Sequence, residues 1–158
     1  MLQKHKQGFS LVEVIVGMSI ITVAIVAMIV LVTQNIKLSR FAMESVQVEY
    51  LLQDGAEAVK TIRDDAWVNL SSLAYDTDYY LSFVDGAWSA TSTPSSIGIF
   101  TRSFSLGQVY RDNVTYDIAS SGTADNKTML VVVKTVWDSH VGFGSKELSF
   151  YVTDFLSD

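Results

Sequence analysis

The apolar positions change their spacing twice along the chain. From Val14 to Ile36 no residue is charged, a run of 23 positions, and at about 1.5 Å per residue a helix of that length reaches roughly 35 Å, enough to cross a hydrocarbon core. Past Ile36 the run thins to a stripe. Leu38, Phe41, Val48, Leu52, Ala56, Val59 and Ile62 fall mostly at three- and four-residue steps, while Lys37, Arg40, Glu44, Glu49, Asp54, Glu57, Lys60 and Arg63 take the other faces, the pattern of an amphipathic helix. One helix is therefore expected from Ser10 to Arg63, followed by a short second helix from Asp65 to Ala74 that places Trp67, Leu70 and Leu73.

Downstream the period falls to two. Tyr79–Val84 and Ala87–Ala90 flank Asp85–Gly86, a pair suited to a tight hairpin turn, and further strands are expected at Ile97–Leu106, Val114–Ala119, Thr128–Trp137 and Lys146–Phe155. The segments STPSS, SSGTADNK and DSHVGFGS read as the joins between them. A long helix followed by an antiparallel sheet of about four strands is an α+β arrangement.

Charge adds a direction to this plan. The first eight residues, MLQKHKQG, carry Lys4 and Lys6 and no acid; the rest holds 11 − 2 = 9 basic and 17 acidic residues, a balance of 9 − 17 = −8. By the positive-inside rule the short basic end stays in the cytoplasm and the acidic portion lies outside. An acidic head argues against nucleic acid as the main partner, since phosphate binding needs clustered Lys and Arg. The chain has no cysteine, which removes disulfides, thiolate metal sites, thiol nucleophiles and a lipidated cysteine anchor together.

The apolar segment is too long for a cleaved secretory signal and lacks a small-residue cleavage site on its far side. What precedes it is more specific: a basic octapeptide ending in Gly8, then Phe9, Ser10, Leu11, Val12 and Glu13, then the uncharged run. The order KQG, FSLVE, apolar run resembles the prepilin leader of type IV pilins and type II secretion pseudopilins. That resemblance implies cleavage between Gly8 and Phe9 by a prepilin peptidase, N-methylation of Phe9, and a mature chain of 158 − 8 = 150 residues. It further implies other pilins or pseudopilins as filament neighbours, with an inner-membrane platform protein and an assembly ATPase acting on the subunit.

Glu13 is the costly residue in this design. Ser10 and Glu13 match a capping box, in which the two side chains satisfy amides at a helix start. A cap alone leaves unexplained a carboxylate at the mouth of a membrane segment, penalised by roughly 2.5–3.5 kcal/mol at the helix centre and less near the interface. Cleavage at Gly8 creates a counter-charge, the amine of Phe9, and in the resembled family the matching glutamate attracts the amine of a neighbouring subunit. Phe9 and Glu13 are thus the expected assembly residues.

The expected divisions are a leader at 1–8, a transmembrane and filament-core helix half at 9–36, an amphipathic half with the short second helix at 37–75, and a pilin-like sheet head at 76–158. Many major pilins carry a proline in the apolar half. This chain has only Pro94, and Leu51–Trp67 resembles the helix end of minor pilins of the V type and minor pseudopilins of the I type, so a minor subunit is expected. The alternative is a single-pass, membrane-anchored extracytoplasmic binding protein or adhesin that does not polymerise.

Enzymatic chemistry is not expected. His5 leaves with the leader, and His140, beside Asp138 and Ser139, has no supporting nucleophile or two-histidine motif. Asp76 with Asp78, and Asp125 with Asn126, are candidate calcium ligands but lack the spaced ladder and closing glutamate of a helix-loop-helix site; they read as turn acids. No metal or cofactor is expected. Three N-x-S/T sequons stand at Asn69, Asn113 and Asn126.

Overall fold

A computed structural model describes Gly8, residues 10–139 and residues 142–155. Its elements are α1 (Leu11–Asp65), α2 (Val68–Ser71), β1 (Tyr79–Val84), β2 (Ala87–Thr91), β3 (Ser96–Ile97), β4 (Phe100–Arg111), β5 (Ile118–Ala119), β6 (Thr123–Ser139) and β7 (Gly142–Thr153). The α+β expectation holds: a long N-terminal helix precedes one antiparallel sheet, and the later turns of that helix pack on the sheet. The chain divides into two compact units, residues 1–42 and residues 43–158.

From Leu11 onward the first unit is helix with apolar side chains facing outward. Leu11, Ile15, Met18, Ile21, Ile25, Ile29 and Leu31 are all exposed. Its few hydroxyls turn back onto the helix: Ser19 Oγ donates to the Val16 carbonyl at 2.7 Å, Thr22 Oγ1 to Met18 at 2.8 Å and Thr33 Oγ1 to Val30 at 2.8 Å. Such bonds hide polar hydrogens that a hydrocarbon surround would leave unsatisfied.

In the second unit the main sheet path runs β2-β1-β4-β6-β7, with β3 and β5 also pairing β4. The predicted stripe closes onto it from Val48 onward. Val48, Leu52, Ala56, Val59 and Ile62 are buried, against an inner sheet face built by alternation from Phe100, Phe104 and Leu106 on β4, Met129, Val131, Val133 and Trp137 on β6, and Val152 on β7. Leu38 and Phe41, expected in the same stripe, are exposed. The Asp85–Gly86 hairpin forms as expected, with both residues at positive φ, 53° and 83°, the pairing that matches strand twist.

Several boundaries differ from the sequence reading. The second helix is a single turn, Val68–Ser71, rather than Asp65–Ala74, because Asn69, Ser71 and Ser72 compete poorly for helix and its N-cap, Trp67, offers no side-chain bond. Ile97–Leu106 resolves into β3, a turn through Gly98 (φ 64°) and a β4 that extends to Arg111. Val114–Ala119 is mostly turn: Asp112 Oδ1 accepts from the amides of Val114 (2.7 Å) and Thr115 (2.9 Å), leaving only Ile118–Ala119 as strand. The expected polar join SSGTADNK instead feeds β6, whose Thr123–Asp125 pair with Val109–Arg111 across a shift in register. That shift skips 126–128.

One contact sets how closely helix and sheet approach. A Cβ on Gly55 would lie 2.8 Å from Val133 Cγ1 and 3.0 Å from Arg102 Cδ. Arg102, only 5% exposed, reaches from the inner face of β4 to the Leu51 carbonyl (3.1 Å) and to the carboxylate of Asp54. Its guanidinium also lies 5.8 Å from the Trp88 ring centroid. Gly55→Val should therefore destabilise the head by about 1–3 kcal/mol through overpacking, seen as a lower thermal midpoint by near-ultraviolet circular dichroism. Asp54→Ala should cost more than Arg102→Met, because the first strands a buried cation short of a partner while the second removes it.

Candidate functional site

The N-terminal segment is the site the sequence singles out. Gly8 is exposed; Phe9 and residues 1–7, which include most of the expected leader, lie outside the described residues. Helix α1 begins at Leu11 with Ser10 as its cap, the Ser10 carbonyl accepting from the amides of Glu13 (3.0 Å) and Val14 (3.2 Å). The helix starts there because the chain changes from a basic leader with a glycine to an unbroken series of good helix and membrane residues. The side-chain half of the expected capping box does not form: among the described residues, neither Ser10 Oγ nor the Glu13 carboxylate takes part in a side-chain hydrogen bond.

Glu13 thus stands exposed in the first turn, where a negative charge also meets the positive end of the helix dipole. Beyond it the same helix is, among the described residues, the one long and apolar enough to cross a membrane, and none of its most apolar window is buried. The arrangement suits one task chemically. An acid at the mouth of an apolar helix, with no side-chain partner among the described residues, is chemically able to receive a cation or a hydrogen-bond donor.

The head candidates have other occupations. Asp125 is held by Arg111 Nε at 2.6 Å, and Arg111 also donates to the Tyr116 carbonyl (3.0 Å) and Thr128 Oγ1 (3.3 Å), tying β4, the 112–117 turn and β6 together. Asp76 is exposed in a turn at positive φ, and Asp78 is exposed as well. No group of three or more metal-ligating side chains gathers among the described residues. His140 falls outside them. Of the sequons, Asn126 is exposed but its Thr128 is buried and bonded to Arg111, whereas Asn113 Oδ1 accepts from Thr123 and Asn69 donates to Asp65.

Sequence reasoning missed Arg102, Gly55 and Glu44, which accepts from Trp137 Nε1 at 3.2 Å and Ser139 Oγ at 3.0 Å. A signal for Arg102 was present: it occupies a core-facing step in the alternation Phe100, Arg102, Phe104, Leu106, where a charge must find a partner. Gly55 and Glu44 had no such signal, since their roles depend on which sheet residues lie opposite.

Residues 3–31 match the family described as the prokaryotic N-terminal methylation motif. Together with the long helix and antiparallel sheet, the match supports a type IV pilin-like prepilin, and the long apolar helix fits membrane anchoring. Comparison of the chain with curated proteins and with solved structures finds no match.

The Arg111 cluster predicts how the head responds to acid. Burial raises the pKa of Asp125, but hydrogen bonds from Arg111, Thr128 and the Lys127 amide outweigh it and hold the group below the ordinary 3.8. The amides of Thr115 and Val114 lower Asp112 likewise. Depressed carboxylates stabilise the fold fully above their unfolded value and lose that contribution as pH falls through the folded one. The thermal midpoint should therefore drop as pH passes below about 3.8, and Asp125→Asn should flatten that dependence while lowering the midpoint at neutral pH.

Proposed function

We propose that this chain is a structural subunit of a type IV pilus or type II secretion pseudopilus. A prepilin peptidase cuts it between Gly8 and Phe9 and methylates the new amine of Phe9. The apolar part of α1 holds it in the inner membrane as a single-pass protein, with the basic end in the cytoplasm and the head outside. Assembly machinery, a platform protein and an ATPase, then draws it into a filament with other pilins. The match of residues 3–31 to the methylation motif carries this reading, because the motif ends a basic leader at a glycine directly ahead of the helix.

The exposed Glu13 supports the assembly step. Left in lipid, the carboxylate is a standing penalty of a few kcal/mol at most near the interface; placed beside the N-terminal amine of a neighbouring subunit, it becomes half of an ion pair in a protein bundle. Desolvation is repaid only if the partner is close and well aligned, which makes subunit register depend on this pair. The uncharged stretch Val14–Val32 packs the filament core, and the head presents loops to neighbours. The missing helix proline favours a minor subunit over the main repeating one.

Two measurements test the reading. The intact mass of protein from its native cell should correspond to a chain beginning at methylated Phe9, and Gly8→Ala should remain uncut; a native chain beginning at Met1 overturns the processing step. Glu13→Lys should be processed and membrane-bound yet fail to enter filaments. Unchanged surface display of Glu13→Ala with no filament in the wild type would point instead to an anchored binding protein that does not polymerise.

A further inference from the structure

An open cavity of about 380 Å³ lies at the far end of β4, between the 112–117 turn and the start of β6. Its walls include Arg111, Asp112, Asn113, Tyr116, Thr123 and Asp125. That volume falls in the lower part of the roughly 300–1,000 Å³ in which proteins hold small molecules.

Tyr116 is the unusual member of this wall. Its φ of 62° lies in the left-handed region, which suits glycine or asparagine and strains a bulky residue. Two bonds hold it there: its amide donates to the Asp112 carbonyl at 3.0 Å, and its carbonyl accepts from Arg111 Nη1 at 3.0 Å. The side chain gains nothing inside the molecule from this placement. It is 71% exposed and lies outside the core cluster. Among the described residues its ring makes no aromatic or cation–π contact, and its hydroxyl makes no hydrogen bond. A strained residue that holds a bare ring on the wall of a cavity serves something outside the chain.

The polar groups beside the ring are fixed and only partly used. Asp112 Oδ1 accepts from the amides of Val114 (2.7 Å) and Thr115 (2.9 Å), two bonds to a carboxylate that has about four acceptor positions. Asn113 Oδ1 accepts from Thr123 Oγ1 at 2.7 Å, which leaves Nδ2, without a partner among the described residues, to donate. Charge narrows the ligand further. Arg111 and Asp125 neutralise each other at 2.6 Å, while Asp112 adds a negative charge to the same wall. An anion is repelled by Asp112. A cation meets the Arg111 guanidinium and finds a single ring instead of a cage of them. A neutral ligand that both donates and accepts, with a C–H face for the ring, suits every group present.

We propose that this cavity binds a pyranose ring of a neutral saccharide. Neighbouring hydroxyls of the sugar donate to Asp112 and accept from Asn113 Nδ2, and its C–H face lies on the Tyr116 ring. Two directed bonds and one ring contact in an open site give weak binding, with Kd on the order of millimolar. Capture of a surface then depends on several heads meeting a repeating polysaccharide. The inference rests on the head alone and needs neither cleavage at Gly8 nor filament growth.

Tyr116→Gly separates binding from folding. Glycine adopts a φ of 62° without strain, so the variant should keep a thermal midpoint close to that of the unaltered chain while losing the ring. The full-length chain is produced in a host that does not glycosylate sequons, so that Asn113 is bare, and is held in micelles of a sugar-free, choline-free detergent. Saturation-transfer NMR is recorded with a panel of neutral methyl hexopyranosides, and with choline and acetate as charged comparators. Transfer to the ring protons of at least one pyranoside is expected, reduced severalfold in Tyr116→Gly and in Asn113→Ala. A stronger response to a linear oligosaccharide of that sugar supports capture along a polysaccharide, and an equal one supports capture of a terminal sugar. No transfer to any pyranoside, transfer unchanged in both variants, or a stronger response to choline or acetate overturns the proposal. If Tyr116→Gly loses its near-ultraviolet circular dichroism, Asn113→Ala decides the outcome by the same measurement.

Discussion

The head depends on how near α1 can come to the sheet. At Gly55 the helix backbone lies so close to Val133 and Arg102 that even one carbon more must displace something. That proximity lets a single guanidinium, rooted in β4, bond both a helix carbonyl and a helix carboxylate. Apolar contact from Val48 to Ile62 supplies most of the attraction, being proportional to area and without direction; the Arg102 pair supplies direction. Glu44 with Trp137 and Ser139, and Glu49 with Lys146, repeat the device further back along the helix. Helix rotation and register are thereby fixed by polar contacts, while packing provides the stabilisation.

The same helix serves two solvents, and its sequence changes where the solvent changes. Up to residue 36 nothing distinguishes one face from another, as expected of a surface meant for lipid or for other apolar helices. From Val48 a defined face is buried and the opposite face bears charge. Glu13 breaks the first rule at its boundary. Its position in the opening turn puts it at the end of the apolar segment, where on insertion scales a carboxylate costs less than at the centre. An acid several residues deeper would carry a larger penalty.

Periods of 3.6 and 2 report burial directly, so the helix, its change from uniform to amphipathic, the Asp85–Gly86 hairpin and the alternating strands are all legible in the amino-acid order. The methylation motif is legible because its elements are contiguous in sequence. Sequence reading fails where side chains compete for backbone. Asp112 captures the amides of Val114 and Thr115 and so converts a β-prone stretch into a turn, and a shift in register lets SSGTADNK pair where its composition reads as loop. Gly55 reads from sequence as a weak point of the helix, and its value as the place of close approach shows only once the opposing sheet is known.

Without cysteine, the head has to hold its topology by non-covalent contacts alone. The long β4–β6–β7 ladder meets that need, and Arg111 secures the one place where the ladder is interrupted, bridging Asp125, Thr128 and the Tyr116 carbonyl around the skipped residues. The consequence is a sheet whose interior is over-determined and whose edges are left plain. Specificity inside the molecule is provided by buried charge and by register; at the ends of the strand order, β2 and β7 have no second strand partner among the described residues. Free edges are usually protected by proline, bulges or unpaired charge; on β7 the two charges are engaged within the chain, Lys146 with Glu49 and Glu147 with Lys134.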